Sequence, residues 1–205
     1  MKEVKSTNEN PALLFEGMDV KPILNLYFQI AHLKQMYRQG WLQEGRDVPE
    51  EKCEKVSGHS LGVVILALFL AVEHFPKLNL EKVLCMAAIH DLPEAHPKVG
   101  DITPRDGVSK EEKHQREKEA MIGFVSGFSM GEKILALWRE YEANETPEAQ
   151  FVNQLDKLEM GLQALIYRKQ GYGKDLVNML KYSADRVIIS EMVEIIEDAG
   201  SLLGE

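Results

Sequence analysis

His90 and Asp91 stand side by side at the end of an apolar helical run, and Glu94 follows within a turn. An imidazole nitrogen and a carboxylate oxygen both suit a divalent cation. Adjacent side chains on a regular helix point in different directions, so one ion can take both only where the backbone turns, and Pro93 supplies a reason for a turn. The alternative for an isolated pair is a helix C-terminus with a capping histidine and a solvated acid. Asp156 is the next candidate. It lies one helical turn after Val152 and one before Met160, at the border of an apolar row, where an unpaired carboxylate would be costly. It therefore pairs with Lys157 or Arg168, is solvated at the border, or binds a metal. His59 falls in the first turn of an apolar helix, as a packed core residue or as a ligand. Together His59, His90, Asp91 and Asp156 come from three separate helices, each beside an apolar face, which is how a helical bundle builds a metal site from inward-projecting side chains.

The elements that carry these residues read as helices almost throughout. Ile23, Leu24, Tyr27, Ile30, Ala31 and Leu33 repeat at helical spacing and predict a first helix ending near Gly40. A second is predicted from a Ser57 cap to Pro76, a buried core helix with Leu61, Val64, Ile65, Leu68, Phe69 and Val72 as its apolar positions. Asn79 caps a third, with Val83, Leu84, Ala87 and Ala88 inward, which stops at His90. Leu92 to Val108 holds three prolines and two glycines without a period, a loop of the kind that carries function. Ser109 with Glu112 reads as a capping box opening a long polar helix. Another helix spans Gly131 to Tyr141. Thr146-Pro147 then starts one whose stripe is Phe151, Val152, Leu155, Leu158, Leu162, Leu165 and Ile166. Amphipathic segments near 174–182 and 185–198 finish the chain. The expected fold is all-α, a single globular bundle of seven to nine helices over 19–205, after a polar N-terminal segment 1–18.

Composition narrows the function classes. A length of 205 residues suits one domain. The net charge of −9 argues against a DNA or RNA polymer as partner, which needs a basic stripe. Cys53 and Cys85 are the only cysteines and lack a Cys-x-x-Cys spacing, so neither a disulfide framework nor a thiolate zinc site is indicated. The first eleven residues lack the apolar stretch of a signal peptide. The run Val63 to Val72 is far short of the roughly 20 residues that cross a bilayer. A cytoplasmic protein without membrane attachment is the expectation. Val187, Ile188, Ile189, Met192, Val193, Ile195 and Ile196 carry more apolar surface than one stripe requires and are candidates for core packing or a homodimer surface.

The series Gly58-His59-Ser60, His90-Asp91 and Leu155-Asp156-Lys157 clearly resembles the motif of the HD-domain metal-dependent phosphohydrolases. Within them the chain is similar to the small 5′-deoxynucleotidase-like branch, in which the His-Asp pair is followed by a Glu and then a Gly-Asp, here Glu94 and Gly100-Asp101-Ile102. Leu33-Lys34 through Arg38-Gln39-Gly40-Trp41, Glu111-Glu112-Lys113, Trp138-Arg139-Glu140-Tyr141-Glu142 and Phe151 through Lys157 resemble that branch in order and approximate spacing.

The resemblance implies one divalent cation held by His59, His90, Asp91 and Asp156, with open positions for water and a phosphate oxygen. Such a donor set suits manganese, cobalt, iron, zinc or nickel more naturally than magnesium alone. It also implies Glu94 as general acid or base, Arg38 as phosphate clamp, and Trp41 and Asp101 at the substrate. The substrate would be a nucleoside 5′-monophosphate, a deoxyribonucleotide foremost, and the branch commonly forms homodimers. The segment 95–99 is about two residues longer than the branch pattern, which puts the path to Asp101 in question, and His96 and Lys98 read as exposed loop residues. His74 and His114 read as surface or packing residues. Two other functions stay open: an HD-type hydrolase of a nucleoside triphosphate or cyclic nucleotide, and a non-catalytic metal-containing nucleotide-binding module.

Overall fold

Side-chain oxygens of Asn79, Ser109 and Thr146 accept the backbone N–H groups of Lys82, Glu112 and Ala149, the donors that a helix start leaves open. They open three of the eight α-helices in a computed structural model that describes residues 10–203. In chain order these are α1 Pro22–Leu33, α2 Val56–His74, α3 Leu80–Ile89, α4 Lys110–Val125, α5 Gly131–Ala143, α6 Pro147–Lys169, α7 Leu176–Ala184 and α8 Ser190–Ser201. Among the described residues there is no strand, only an isolated antiparallel bridge between Tyr37 and Lys55. The all-α expectation holds.

The long helix α6 is the hub. Helices α2, α3, α5, α7 and α8 pack on it, and Val63, Ala67, Met86, Phe151, Val152, Leu155, Leu158, Met192 and Ile196 form one buried cluster. Removing such side chains from water supplies most of the driving force for the bundle. Gly161 lets α6 and α8 approach: a Cβ there would stand 2.5 Å from Ile196 Cδ1 and 2.8 Å from Ser183 Cβ. Residues 1–9 of the polar N-terminal segment lie outside the described residues. The rest of it packs on α1, with the Phe15 and Phe28 rings stacked at 3.8 Å, and Asn10 Nδ2 donates to the Ala95 carbonyl at 3.0 Å.

Three sequence readings change. Helix α1 ends at Leu33 rather than near Gly40, because the chain then runs extended beside the entry to α2: Arg38 N donates to Glu54 O at 3.1 Å and Val56 N to Met36 O at 3.0 Å. The face assigned to α2 is reversed. Leu61, Ile65, Leu68, Phe69 and Val72 lie outward, 36–69 % exposed, while Val56, His59, Val63, Ala67, Leu70 and Ala71 are buried. A helix apolar all round has no period to choose its face, and the smaller Ala67 and Ala71 allow the closer approach to neighbours. The third change is the start of α2, which opens at Val56 after Lys55 with no side-chain cap, so Ser57 lies inside the helix and does not cap it. Of the late apolar residues, Val187, Met192 and Ile196 are buried in the core cluster and Ile189, Val193 and Ile195 pack against it, the core-packing alternative, while Ile188 stays 79 % exposed.

Candidate metal centre

His59 comes from the first turn of α2, His90 and Asp91 follow the end of α3, and Asp156 lies mid-way along α6. The contact of α6 with α2 and α3 brings them together. His59 Nε2 is 3.1 Å from Asp156 Oδ1 and 3.6 Å from Asp91 Oδ2. His90 Nε2 is 3.3 Å from Asp91 Oδ2 and 3.5 Å from His59 Nε2. The ligand atoms of His59, His90 and Asp91 all lie within 4.8 Å of one another, and Asp156 joins them through His59.

The outer nitrogens show that these donors fit a cation. His90 Nδ1 faces the Ala87 carbonyl at 2.8 Å, and a carbonyl only accepts, so Nδ1 carries the hydrogen and Nε2 the lone pair. His59 Nδ1 donates to Glu159 Oε2 at 2.5 Å, which likewise turns Nε2 inward. Two ring nitrogens and the Asp91 carboxylate thus converge, with the Asp156 carboxylate against the His59 nitrogen, an arrangement of Lewis bases that repel one another unless a cation or a proton lies among them. The donor set is mixed imidazole and carboxylate, within the range that suits the first-row divalent metals. Burial and the Arg38 charge disfavour a second proton on His59, but Asp156, Glu159 and Asp91 outweigh them and raise its pKa to about 10. A metal ion competes with that proton for the same lone pair. Burial alone would also raise the Asp91 and Asp156 carboxyls. His90, Arg38 and His59 hold Asp91 well below the usual carboxylate range, and Lys157, His59 and His90 do the same for Asp156. Lys157 Nζ stands 2.5 Å from Asp156 Oδ2, so the pairing considered from sequence exists beside the inward one.

His90, Asp91, Asp156 and Lys157 line a cavity of about 600 Å³ that also takes in Arg38, Glu94, Asp101, Lys113, Tyr141, Met160, Met179 and Tyr182, with His59 fully buried behind them. That volume lies within the ~300–1,000 Å³ of small-molecule sites. Glu94 sits in the 3-10 turn Leu92–Ala95 that Pro93 starts, and is 4 % exposed. Its Oε1 is 3.9 Å from Lys113 Nζ, and its buried Oε2 has no hydrogen-bond partner. Burial, with the charges of Asp91 and Asp101, pushes its carboxyl well above the usual range despite Lys113 and Arg38. Arg38 Nη1 lies 3.5 Å from Asp91 Oδ2 and 3.8 Å from Asp101 Oδ1, so the guanidinium spans the metal cluster and the Gly100–Asp101 turn.

Asp101 faces the same cavity through the longer 95–99 segment, with one carboxylate oxygen accepting from Gln39 N at 2.5 Å. It thereby ties the Arg38–Trp41 stretch to the loop after α3. Trp41 contributes to the cavity wall, but its ring is 2 % exposed, edge-on to Tyr167, and its N–H donates to Glu54 Oε1 at 2.6 Å. Its first role is therefore packing and holding Glu54. His96 and Lys98 lie away from this cavity, Lys98 on the surface. His114, read as a surface or packing residue, is exposed and stacks on Trp138 at the cavity rim, with Nδ1 3.0 Å from Glu142. Sequence reasoning also passed over Glu159, and it gave Lys113 no role at the site beyond its place in the Glu111-Glu112-Lys113 resemblance. Glu159 follows Leu155 by one turn inside the buried stripe, the same signal that singled out Asp156. Lys113 carried no such signal, because a lysine on a polar helix has the pattern of a solvated one.

Residues 30–194 match the family model described as HD domain. The chain belongs to the HD-domain family. Among curated relatives, 5′-deoxynucleotidase HDDC2 of Bos taurus is 37 % identical over 160 residues, 77 % of this chain and 74 % of that protein. 5′-Deoxynucleotidase hdd1 of Schizosaccharomyces pombe is 36 % identical over 168 residues, 78 % of this chain and 79 % of that protein. Of solved structures, the PH0347 protein of Pyrococcus horikoshii OT3 superposes with a TM-score of 0.69 at 30 % identity, covering 87 % of this chain and 99 % of that one. This HD-domain protein thus shares most of its length with relatives named 5′-deoxynucleotidases and its fold with the PH0347 protein.

Proposed function

We propose that the protein is a metal-dependent phosphomonoesterase that hydrolyses nucleoside 5′-monophosphates, with deoxyribonucleotides as the principal substrates. The observation that carries this reading is the gathering of His90, Asp91 and Asp156 around the buried His59, at the wall of a cavity that also holds Arg38 and an unpartnered Glu94. Relatives named 5′-deoxynucleotidases support the substrate class. The four residues hold one divalent ion, which when bound neutralises phosphoryl charge and makes water a better nucleophile.

Arg38 offers two N–H donors to the phosphate, a geometry a point charge lacks. Lys113 and Lys157 add positive charge at the cavity wall against a substrate of about two negative charges. Glu94, whose carboxyl its buried surroundings and the Asp91 and Asp101 charges push well above the usual range, is the group that donates a proton to the 5′-oxygen as the P–O bond breaks and the water oxygen bonds to phosphorus. Met160, Met179, Ile102 and Tyr182 give the nucleoside an apolar wall, and Asp101 lies at the turn beside it. The intact Glu94 argues against a module that merely binds a nucleotide. Phosphate release from a panel of ribo- and deoxyribonucleoside mono- and triphosphates, in Mn²⁺, Co²⁺, Zn²⁺, Ni²⁺ and Mg²⁺, tests the proposal. It predicts fastest turnover of deoxyribonucleoside monophosphates, and no release from any monophosphate in any metal ends it.

The protein is further read as a cytoplasmic homodimer. By length and apolarity α2 reaches what a membrane span requires, yet its inner face packs on α3 and α6 and carries His59. Its outer stripe from Leu61 to Val72 has no charged residue and suits a second copy related by a two-fold axis, where one patch faces itself. Sedimentation at micromolar concentration should give a dimer that Phe69→Glu converts to monomer; a native monomer would end this reading.

A further inference from the structure

Burying a carboxylate costs free energy unless a partner repays it, and Glu159 is 9 % exposed in the α2–α6 contact. Its partner is His59 Nδ1, 2.5 Å from Oε2. The other side of the carboxylate lies against Gly62, one turn beyond His59 on the same face of α2. A Cβ at Gly62 would stand 2.8 Å from Glu159 Oε1, 3.1 Å from Cγ and 3.3 Å from Cδ. The missing side chain at Gly62 is therefore the space the carboxylate occupies. Glu54 also lies near His59, with its Oε1 accepting from the Trp41 N–H, but the hydrogen bond on His59 Nδ1 is to Glu159.

We propose that Glu159 is a positioning residue for the metal centre: seated in the gap left by Gly62, it binds His59 Nδ1–H and aims Nε2 at the point shared with His90, Asp91 and Asp156. This rests on the reading of His59 as a ligand. Gly62 is then as necessary as Glu159, although neither touches the ion. Carboxylates that hold the far nitrogen of a ligating histidine tune affinity by roughly 10- to 100-fold. Because the atoms facing Gly62 are the end of a flexible side chain, a methyl group there displaces the carboxylate more easily than the helix backbone, and the fold tolerates it.

The test is calorimetric titration of metal-free protein with Mn²⁺, read beside the absorption spectrum of the Co²⁺-loaded form and the melting temperature. Glu159→Ala and Gly62→Ala are each expected to weaken Mn²⁺ binding by about 10- to 100-fold and to alter the Co²⁺ bands, and Glu159→Gln, which keeps an acceptor, to weaken it less. In the double variant the effects should not add, since no carboxylate remains for the new methyl group to displace. Native Mn²⁺ affinity and Co²⁺ spectrum in Glu159→Ala overturn the proposal, even if its melting temperature falls, as does full additivity in the double variant. If Glu159→Ala does not fold, Glu159→Gln and Gly62→Ala carry the same comparison. His59→Ala separates the two levels of argument. Loss of Mn²⁺ binding there with native binding in the Glu159 and Gly62 variants removes only the positioning role, whereas unchanged binding in His59→Ala removes the ligand assignment beneath it.

Discussion

Replacing Glu94 by Gln isolates its proton from its shape. The side chain is 4 % exposed, so a nearly isosteric amide preserves packing, and what changes is the charge and the ability to hold a proton. The Oε1 contact with the partly exposed Lys113 is long, 3.9 Å, and pairs of that kind contribute about 0–1 kcal/mol. Against that loss stands relief from the charges of Asp91 and Asp101, which already hold the Glu94 carboxyl well above its usual range. The two effects oppose each other, and the melting temperature should move by only a few degrees. Activity should respond differently. A positioned general acid contributes typically 10²- to 10⁴-fold, roughly 2.7–5.4 kcal/mol of barrier, and the unpartnered Oε2 identifies the lost group. The assay is phosphate release at saturating nucleotide and metal, with Mn²⁺ affinity measured on the same preparation. A kcat within tenfold of the native value would refute the acid role. Loss of metal binding along with activity would instead make Glu94 a ligand.

Chelation should lower the melting temperature: a metal at a hundred times its dissociation constant stabilises by about 2.7 kcal/mol, or roughly 5–11 °C for a domain of this size, and a melt indifferent to chelator and added Mn²⁺ contradicts a specific site. Arg38→Lys keeps the charge but loses the fork, so kcat/KM should fall roughly 10- to 150-fold, the worth of one charge-assisted hydrogen bond, and a native value would remove Arg38 from the phosphate. Burial and the Glu159 charge raise Glu54 from 4.5 to about 7 in spite of His59, the Trp41 hydrogen bond and Arg38. The folded state then binds more protons than the unfolded chain between those values, so this group makes stability fall as pH rises through that window. Glu54→Gln keeps an acceptor for Trp41 and should flatten that fall in thermal melts of metal-free protein from pH 4.5 to 7.5; an unchanged slope counts against the shift.

The fold class and three of the helix starts were legible because they are local, whereas the Ser57 cap read for α2 is absent. Asn79, Ser109 and Thr146 cap helices through bonds reaching three residues ahead, and Pro93 and Pro104 open turns through their own restricted backbone. The four candidate ligands were legible for another reason: imidazole and carboxylate placed beside apolar faces need a partner, and their order resembles the HD series. Periodicity failed at α2, where every face is apolar and only the small residues meeting α3 and α6 determine which side turns inward. It failed again at α8, whose apolar surface suited either the core or a second copy.

The chain by itself therefore determined the helices, the donor types and the family to which they belong, since each is written in neighbouring residues or in a motif. Tertiary structure decided what lies between elements distant in sequence. It alone set the 3.1–3.6 Å spacings among His59, His90, Asp91 and Asp156, placed Arg38 between Asp91 and Asp101, and seated Glu159 against Gly62 behind His59. Those relations depend on how closely α2, α3 and α6 pack, and that distance is the sum of many side-chain contacts.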